Sequence, residues 1–299
     1  MVLGESIVNP CVMAIQSSSM ELPIAPSSYQ PSPDALIRAA KRAEMILART
    51  VAQETQLDAA TLFVHPDRPR VGLANLAMEV RLPDGLDAHA VVRQILDPYE
   101  QAHAVCFKLQ AAEAQWPESL AHALSEQGYQ PVARCVHALT RQRSTQHRAD
   151  SGTSGGDLQI IPARAAYAQL RNWYQSLAAR ESPDNPTQVE QEADTRIDLL
   201  DEPRLEMFFG RIQGQPVGTA GVLTLGQIGV LHGLCVDPQH PQGAFIQQAL
   251  LTQVIDHCAR AQFEQVIVDL PKDEQATHPY RHLGFEPTAS YTTYHTRVV

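Results

Sequence analysis

The run Cys235-Val236-Asp237-Pro238, followed by His240-Pro241-Gln242-Gly243-Ala244-Phe245-Ile246-Gln247-Gln248-Ala249-Leu250-Leu251, decides how this chain folds. An apolar stretch, IGVLHGLCV, ends in a Pro-containing turn, and beyond it Ile246, Leu250, Val254 and Cys258 recur at four-residue steps. The first pattern is that of a buried strand and the second that of a helix. A further apolar run, QVIVDL, then predicts a second strand reached by a helical crossover, hence a parallel pair within a mixed α/β sheet. The turn also matters chemically. Exposed N–H groups where a helix opens, here Gln242, Gly243, Ala244, Phe245, Ile246 and Gln247, together with the helix dipole, suit an anion such as a pyrophosphate.

Upstream of this unit the sequence predicts a strand (LQIIPA), a helix (AAYAQLRNWYQSLAAR), a polar helix near residues 188–200, and a hairpin turning at Gln213-Gly214-Gln215. Downstream it predicts a short helix through Tyr280 and a last strand. Toward the N-terminus, residues 34–54 carry helical spacing with Asp34 as cap. ATLFVHP and VGLANLAMEVRLP read as strands, residues 87–101 as a helix, and AVCFKL as a buried strand.

The ending Gly128-Tyr129-Gln130-Pro131 is echoed at Gly284-Phe285-Glu286-Pro287, each after a helix that follows an apolar strand, which favours a duplicated unit. The expected organisation is a disordered Ser- and Pro-rich segment (1–33), a first domain (34–140), a polar Gly/Ser linker (141–156) and a second domain (157–299).

Composition narrows the function classes. Of 299 residues, 23 are Lys or Arg and 33 Asp or Glu, a net charge of −10 that opposes general nucleic-acid binding. No uncharged apolar run is long enough to span a bilayer. The five cysteines are odd in number and never spaced as CxxC, which points to a reducing compartment. With no basic leader at the N-terminus, the cytoplasm is the expectation. No Gly-x-Ser-x-Gly or Walker loop occurs. His278 and His282 are four apart but have no third ligand beside them, so no metal is expected.

Residues 157–299 resemble the GNAT-type N-acetyltransferases in element order, in the Val236-x-Pro238 exit from the central strand, and in the closing Tyr280-Arg281-His282-Leu283-Gly284-Phe285. The family's acyl-CoA loop has the form Gln/Arg-x-x-Gly-x-Gly/Ala. The resemblance places Gln242 at its first position, and Phe245 and Gln247 where glycines stand. A side chain at those sites competes for the space a phosphate needs, although the backbone donors survive the substitution. The resemblance implies direct acetyl transfer from acetyl-CoA to an amine of a small molecule or peptide, without metal, by a monomer or homodimer. Backbone groups of Leu234, Cys235 and Val236 would meet the pantetheine and thioester. Tyr280 falls at the general-acid position, protonating the departing thiolate.

The glutamate base of some relatives falls at Leu231. His232 faces the opposite side of the sheet and reads as a core histidine, Cys235 reads as a buried filler, and Glu206 or Asp269 would act through a water. The first half resembles the family less and is expected to be a degenerate copy. The departures at Phe245 and Gln247 also leave open a catalytically inactive binding module on the same fold.

Overall fold

The structure is a computed structural model in which residues 31–140, 158–273 and 279–296 are described. The expected disordered segment (for residues 1–30), the linker and His278 lie outside the described residues. Helix α1 (Pro33–Val51) opens two residues earlier than a cap at Asp34 implies. Ser32, and not Asp34, caps it by accepting from the Ala35 N–H at 3.3 Å, and Asp34 sits in the first turn against the helix dipole.

The first half continues with β1 (Gln53–Gln56), β2 (Thr61–Val64), β3 (Leu76–Val80), α2 (Ala88–Gln101), β4 (Lys108–Ala111), α3 (Glu118–Glu126) and β5 (Gln130–Thr140). The exposed, wholly polar QETQ of β1 carries no period-two signal and is read from sequence as the end of α1. The predicted strand over 71–83 shrinks to β3. Its first part forms a 3-10 turn in which Asn75 is fully buried, its amide held by the Arg68 and Val71 carbonyls. The strand predicted in AVCFKL starts later, at Lys108.

The second half comprises β6 (Leu158–Pro162), α4 (Tyr167–Glu181), α5 (Pro186–Asp198), β7 (Leu205–Ile212), β8 (Gln215–Leu225), β9 (Ile228–Val236), α6 (Gly243–Arg260), β10 (Gln265–Pro271) and β11 (Glu286–His295). The predicted hairpin turn between β7 and β8 places Gln213 (φ 51°) and Gly214 (φ 79°) in the left-handed region, as a two-residue turn between strands requires. β9 and β10 pair in parallel, as the crossover demands.

All eleven strands form one mixed sheet in the order β1-β2-β3-β4-β11-β5-β10-β9-β8-β7-β6. The last strand of each half therefore lies in the other half's territory: β11 pairs with β4, and β5 pairs with β10. A shift of 156 residues, the step from Gly128 (φ 85°) to Gly284 (φ 86°), carries β1, β2, β3, α2, β4 and β5 onto ranges overlapping β7, β8, β9, α6, β10 and β11. Where β5 meets β11, Arg134 pairs with Tyr291 and Cys135 with Ser290. Under the same shift these two pairs exchange, so a local twofold passes between them.

Helix α1 lies over this centre and buries Leu36, Ile37, Ala40, Ala43, Ile46 and Leu47 in a core shared with α4, α5 and both central strands. Helix α6 covers the opposite face of β8 and β9 through Ile246, Leu250, Leu251 and Val254. Among the described residues no helix is long and apolar enough to cross a membrane.

Because β10 and β11 meet only through β5, residues 158–299 expressed alone should give no cooperative urea transition by circular dichroism, whereas the full chain should. A cooperative transition of the fragment would mean that β11 can pair with β10 directly.

Candidate active site

The parallel pairing of β9 with β10 stops at Val230↔Ile267. Beyond it β9 stays with β8 while β10 continues on β5, so the two strands part from Leu231 to Val236 and open a wedge. Within the wedge β9 bulges: Cys235 pairs with Thr219 and His232 with Gly221, leaving Gly233 and Leu234 out of register. Gly233 has φ 65°, a conformation that calls for glycine, and a Cβ there would stand 2.7 Å from Met207 Cε, the movable end of a flexible side chain. Thr219 Oγ1 donates to the Gly233 carbonyl at 2.9 Å and lies 3.3 Å from the Tyr174 hydroxyl, fixing the bulge from β8 and α4.

Two cavities meet at this bulge. One, of about 460 Å³, is lined by Tyr174, Glu192, Arg196, His232, Gly233, Leu234 and Cys235 among others. The other, of about 200 Å³, lies under α1 and is lined by Glu44, Arg134, Leu231, His232 and Asp269 among others. His232 belongs to both walls. It does face away from the α6 side, as strand alternation requires, but it lines open space and is not a packed core residue.

Burial lowers the His232 imidazole to about 4, the Glu44 carboxylate raising it only in part. The ring is therefore neutral at pH 7 and free to accept a proton. Burial raises the Cys235 thiol above its usual value, against the opposing influence of Arg196, so it stays protonated and is no nucleophile. Arg196 stacks over the Tyr174 ring at 5.2 Å.

The wedge leads to the start of α6. Arg180 holds Asp237 at 2.6 Å, and the same carboxylate accepts from the Gln239 N–H at 3.0 Å. Those contacts, the Arg180 hydrogen bond foremost, keep the Asp237 carboxyl below its ordinary range. The Gln242 N–H donates to His240 Nδ1 (3.2 Å) and the Gly243 N–H to the His240 carbonyl (2.9 Å). No side chain caps the helix and no acid stands in its first turn. Among the described residues nothing accepts from the N–H of Ala244 or Phe245.

The sequence-selected residues separate here. Gln242 and Ala244 are exposed, Gly243 and Gln247 are half-buried, and the Ile246 side chain is fully buried beneath the helix. The half-buried Phe245 ring packs against the same apolar cluster as Leu234, Val236 and Leu270. Tyr280 is buried in that cluster, edge-on to Phe285 at 5.8 Å, and burial pushes its phenol up so that it remains a proton donor.

Of the groups considered from sequence as water-mediated bases, Asp269 is held by Arg134 (2.9 Å) and Tyr291 (2.6 Å), and Glu206 lies 3.6 Å from Arg164. Glu44 and Arg196 escaped sequence reading. They sit on helices that only the tertiary fold brings to β9. Among the described residues no cluster of His, Cys, Asp or Glu could hold a metal ion.

Sequence comparison points to the region that holds this wedge: residues 167–285 match the model of the acetyltransferase (GNAT) family. Residues 167–285 form a GNAT domain. Three solved structures share the fold over most of their length.

A GCN5-related N-acetyltransferase from Kribbella flavida is 17% identical, with 90% of this chain and 98% of that one covered at a TM-score of 0.54. A GCN5-related N-acetyltransferase-like protein from Streptococcus suis is 14% identical, covering 89% and 100% at 0.53. A functionally unknown conserved protein from Staphylococcus epidermidis is 13% identical, covering 83% and 95% at 0.56. None of the curated proteins matches the chain in sequence. The match of residues 167–285 to that family supports acyl transfer, in broad terms, as the chemistry of this region.

A histidine held near 4 in the folded state and near 6.5 in the unfolded chain leaves the unfolded state with more protons between those values. Stability should therefore be full above pH 6.5 and fall as pH drops toward 4. His295, lowered to about 4 by burial and by Lys108, adds to the same slope. Chemical denaturation of His232→Gln across this window should lose on the order of 2 kcal/mol less stability than the parent. An unchanged slope would show that His232 does not charge on unfolding.

Proposed function

We propose that the GNAT domain transfers an acetyl group from acetyl-CoA directly to an amine of a small molecule or peptide. The observation that carries this reading is the wedge between β9 and β10, with its bulge at Gly233 on the larger cavity and the unpaired Ala244 and Phe245 amides beyond. A diphosphate at those amides, pantetheine along Leu234–Val236, and the thioester at the bulge would put the acceptor in the cavity of Tyr174, Glu192 and Arg196. The amine nitrogen bonds to the thioester carbon, the C–S bond breaks, and the amine's proton passes to the neutral His232 as the nitrogen becomes acidic. The sulfur takes a proton from Tyr280.

That last transfer is reasonable even though burial raises the phenol. Burial also lifts the thiol of Cys258, in the same apolar cluster as Tyr280, to about 12, so a thiolate leaving in such surroundings is a comparably strong base.

The first half is, in this proposal, a degenerate copy that shapes the acceptor side. Its β3 and β4 shift register between Ala77 and Val80 but pair again at Val80↔Ala111, so they do not part as β9 and β10 do. Its crossover helix is capped by Asp87, which accepts from the Ala90 N–H at 3.1 Å and would repel a diphosphate.

Calorimetric titration of the full chain with acetyl-CoA should give saturable binding, and its absence up to about 1 mM would favour the inactive module instead. With an accepted amine in hand, Tyr280→Phe should lower kcat by roughly 10²-fold while acetyl-CoA affinity stays within a factor of about two. Equal losses in both would make Tyr280 a packing residue.

A further inference from the structure

A cavity of about 740 Å³ lies outside the GNAT domain's wedge, between α1, the ends of β3 and β4, and the turn joining β8 to β9. Its position parallels that of the acceptor cavity. Each is bounded by the helix that precedes its half's first shared strands, α1 or α5. Each also reaches a residue of positive φ on the strand before the crossover, Glu79 (φ 53°) in the first half and Gly233 (φ 65°) in the second.

The two differ in charge. Arg38, Lys41, Arg42, Arg49 and Arg204 line the first-half cavity against a single carboxylate, Glu79. Such a concentration of cations is unexpected in a chain of net charge −10.

Two of these arginines are pre-set by carboxylates that lie behind them. Glu54 grips Arg49 through two bonds of 2.6 and 2.8 Å, and Glu202 grips Arg204 at 2.7 and 3.0 Å. The charge of Arg49 still acts unfavourably on Arg204, which places two like-charged guanidiniums near each other on one wall. Counting Glu54 and Glu202 with Glu79 against the five cations leaves a surplus of two. Lys41 spends its donors on neutral carbonyls, Ala111 at 2.7 Å and Glu113 at 2.8 Å, and so neutralises nothing. Arg38 and Arg42, one helical turn apart on α1 and both exposed, have no partner among the described residues. Their forked donors are free to grip an anion from the same side.

We propose that this cavity is a second ligand site, which takes a small polyanion bearing two or more phosphate or carboxylate groups. It is not an acyl-donor slot: β3 and β4 remain paired beside it, and no crossover helix opens onto it. Arg38 and Arg42 make the primary contacts, and Arg49 and Arg204 hold the far end of the ligand.

The test is isothermal titration of the full chain, at low salt, with inorganic pyrophosphate and separately with citrate. At least one should bind saturably, and the tighter of the two names the chemical class. The Arg38→Ala/Arg42→Ala variant should weaken that binding by about tenfold or more, and Arg38→Lys/Arg42→Lys by less. Because both side chains are exposed, thermal melting should confirm that the variants fold. Acetyl-CoA affinity should be the same in all three proteins. Failure of both anions to saturate by about 10 mM, or an alanine variant that binds like the parent, would overturn the proposal. So would loss of acetyl-CoA binding in that variant, since the cavity would then be an acyl-donor site.

Discussion

A chain of buried and half-buried polar groups runs through the centre of the sheet. Lys108 contacts both oxygens of Glu44 (2.5 and 2.6 Å), and Gln110 reaches Glu44 and the Tyr291 hydroxyl, each at 3.4 Å. Tyr291 donates to Asp269 (2.6 Å), which Arg134 grips at 2.9 Å. Burial alone would raise the Glu44 carboxyl, but Lys108 outweighs it and holds the group below its usual range.

These six residues come from α1, β4, β11, β10 and β5, so the network is complete only when each half has given its last strand to the other. Deleting one ionic partner from such a buried network typically costs about 3–5 kcal/mol, because the survivor keeps its desolvation penalty.

The wedge follows from the same constraint. β10 is committed along its far edge to β5, where Asp269 must meet Arg134, and β9 is committed to β8 through the Thr219 contact at the bulge. The strands cannot follow both partners and remain side by side. α1 covers what they leave open, and the small cavity under it carries Glu44 and Asp269 to the edge of His232. In the first half no such conflict exists. β3 and β4 close on each other, Asp87 occupies the helix start that Gly243 leaves bare, and the arginines of α1 face a cavity without a wedge.

Local pattern made much of this legible in the sequence. The strand-turn-helix at 228–260, the hairpin turn at Gln213-Gly214 and the helix endings at Gly128 and Gly284 each have a short-range cause, and each appears as expected. The polar strand β1 was invisible because nothing in QETQ alternates. Strand exchange was invisible for a different reason: the echo at 128 and 284 says that two units are alike, but not whose sheet each last strand joins.

The site divides the same way. Gln242–Gln247 could be placed from the helix period, whereas Glu44, nearly two hundred residues before His232, could not. His232 itself was judged by strand alternation, which gives the side of a sheet correctly and says nothing about whether that side is filled.

Burial favours the uncharged form of three protic groups named above. It raises the Tyr280 phenol and the Cys235 thiol and lowers the His232 imidazole, so all three are uncharged at neutral pH. Fixed charge enters the larger cavity only from Glu192 and Arg196 at its α5 wall. On the proposed reading, an acceptor ammonium arriving there would meet a carboxylate at the rim and neutral groups further in, where a charged amine is penalised and a neutral one is not. The apolar surroundings thus lower the amine's own proton affinity before any base acts. In that proposed reaction a histidine near 4 would be a weak acceptor matched to the acidic nitrogen that forms with the new C–N bond, rather than to the free ammonium.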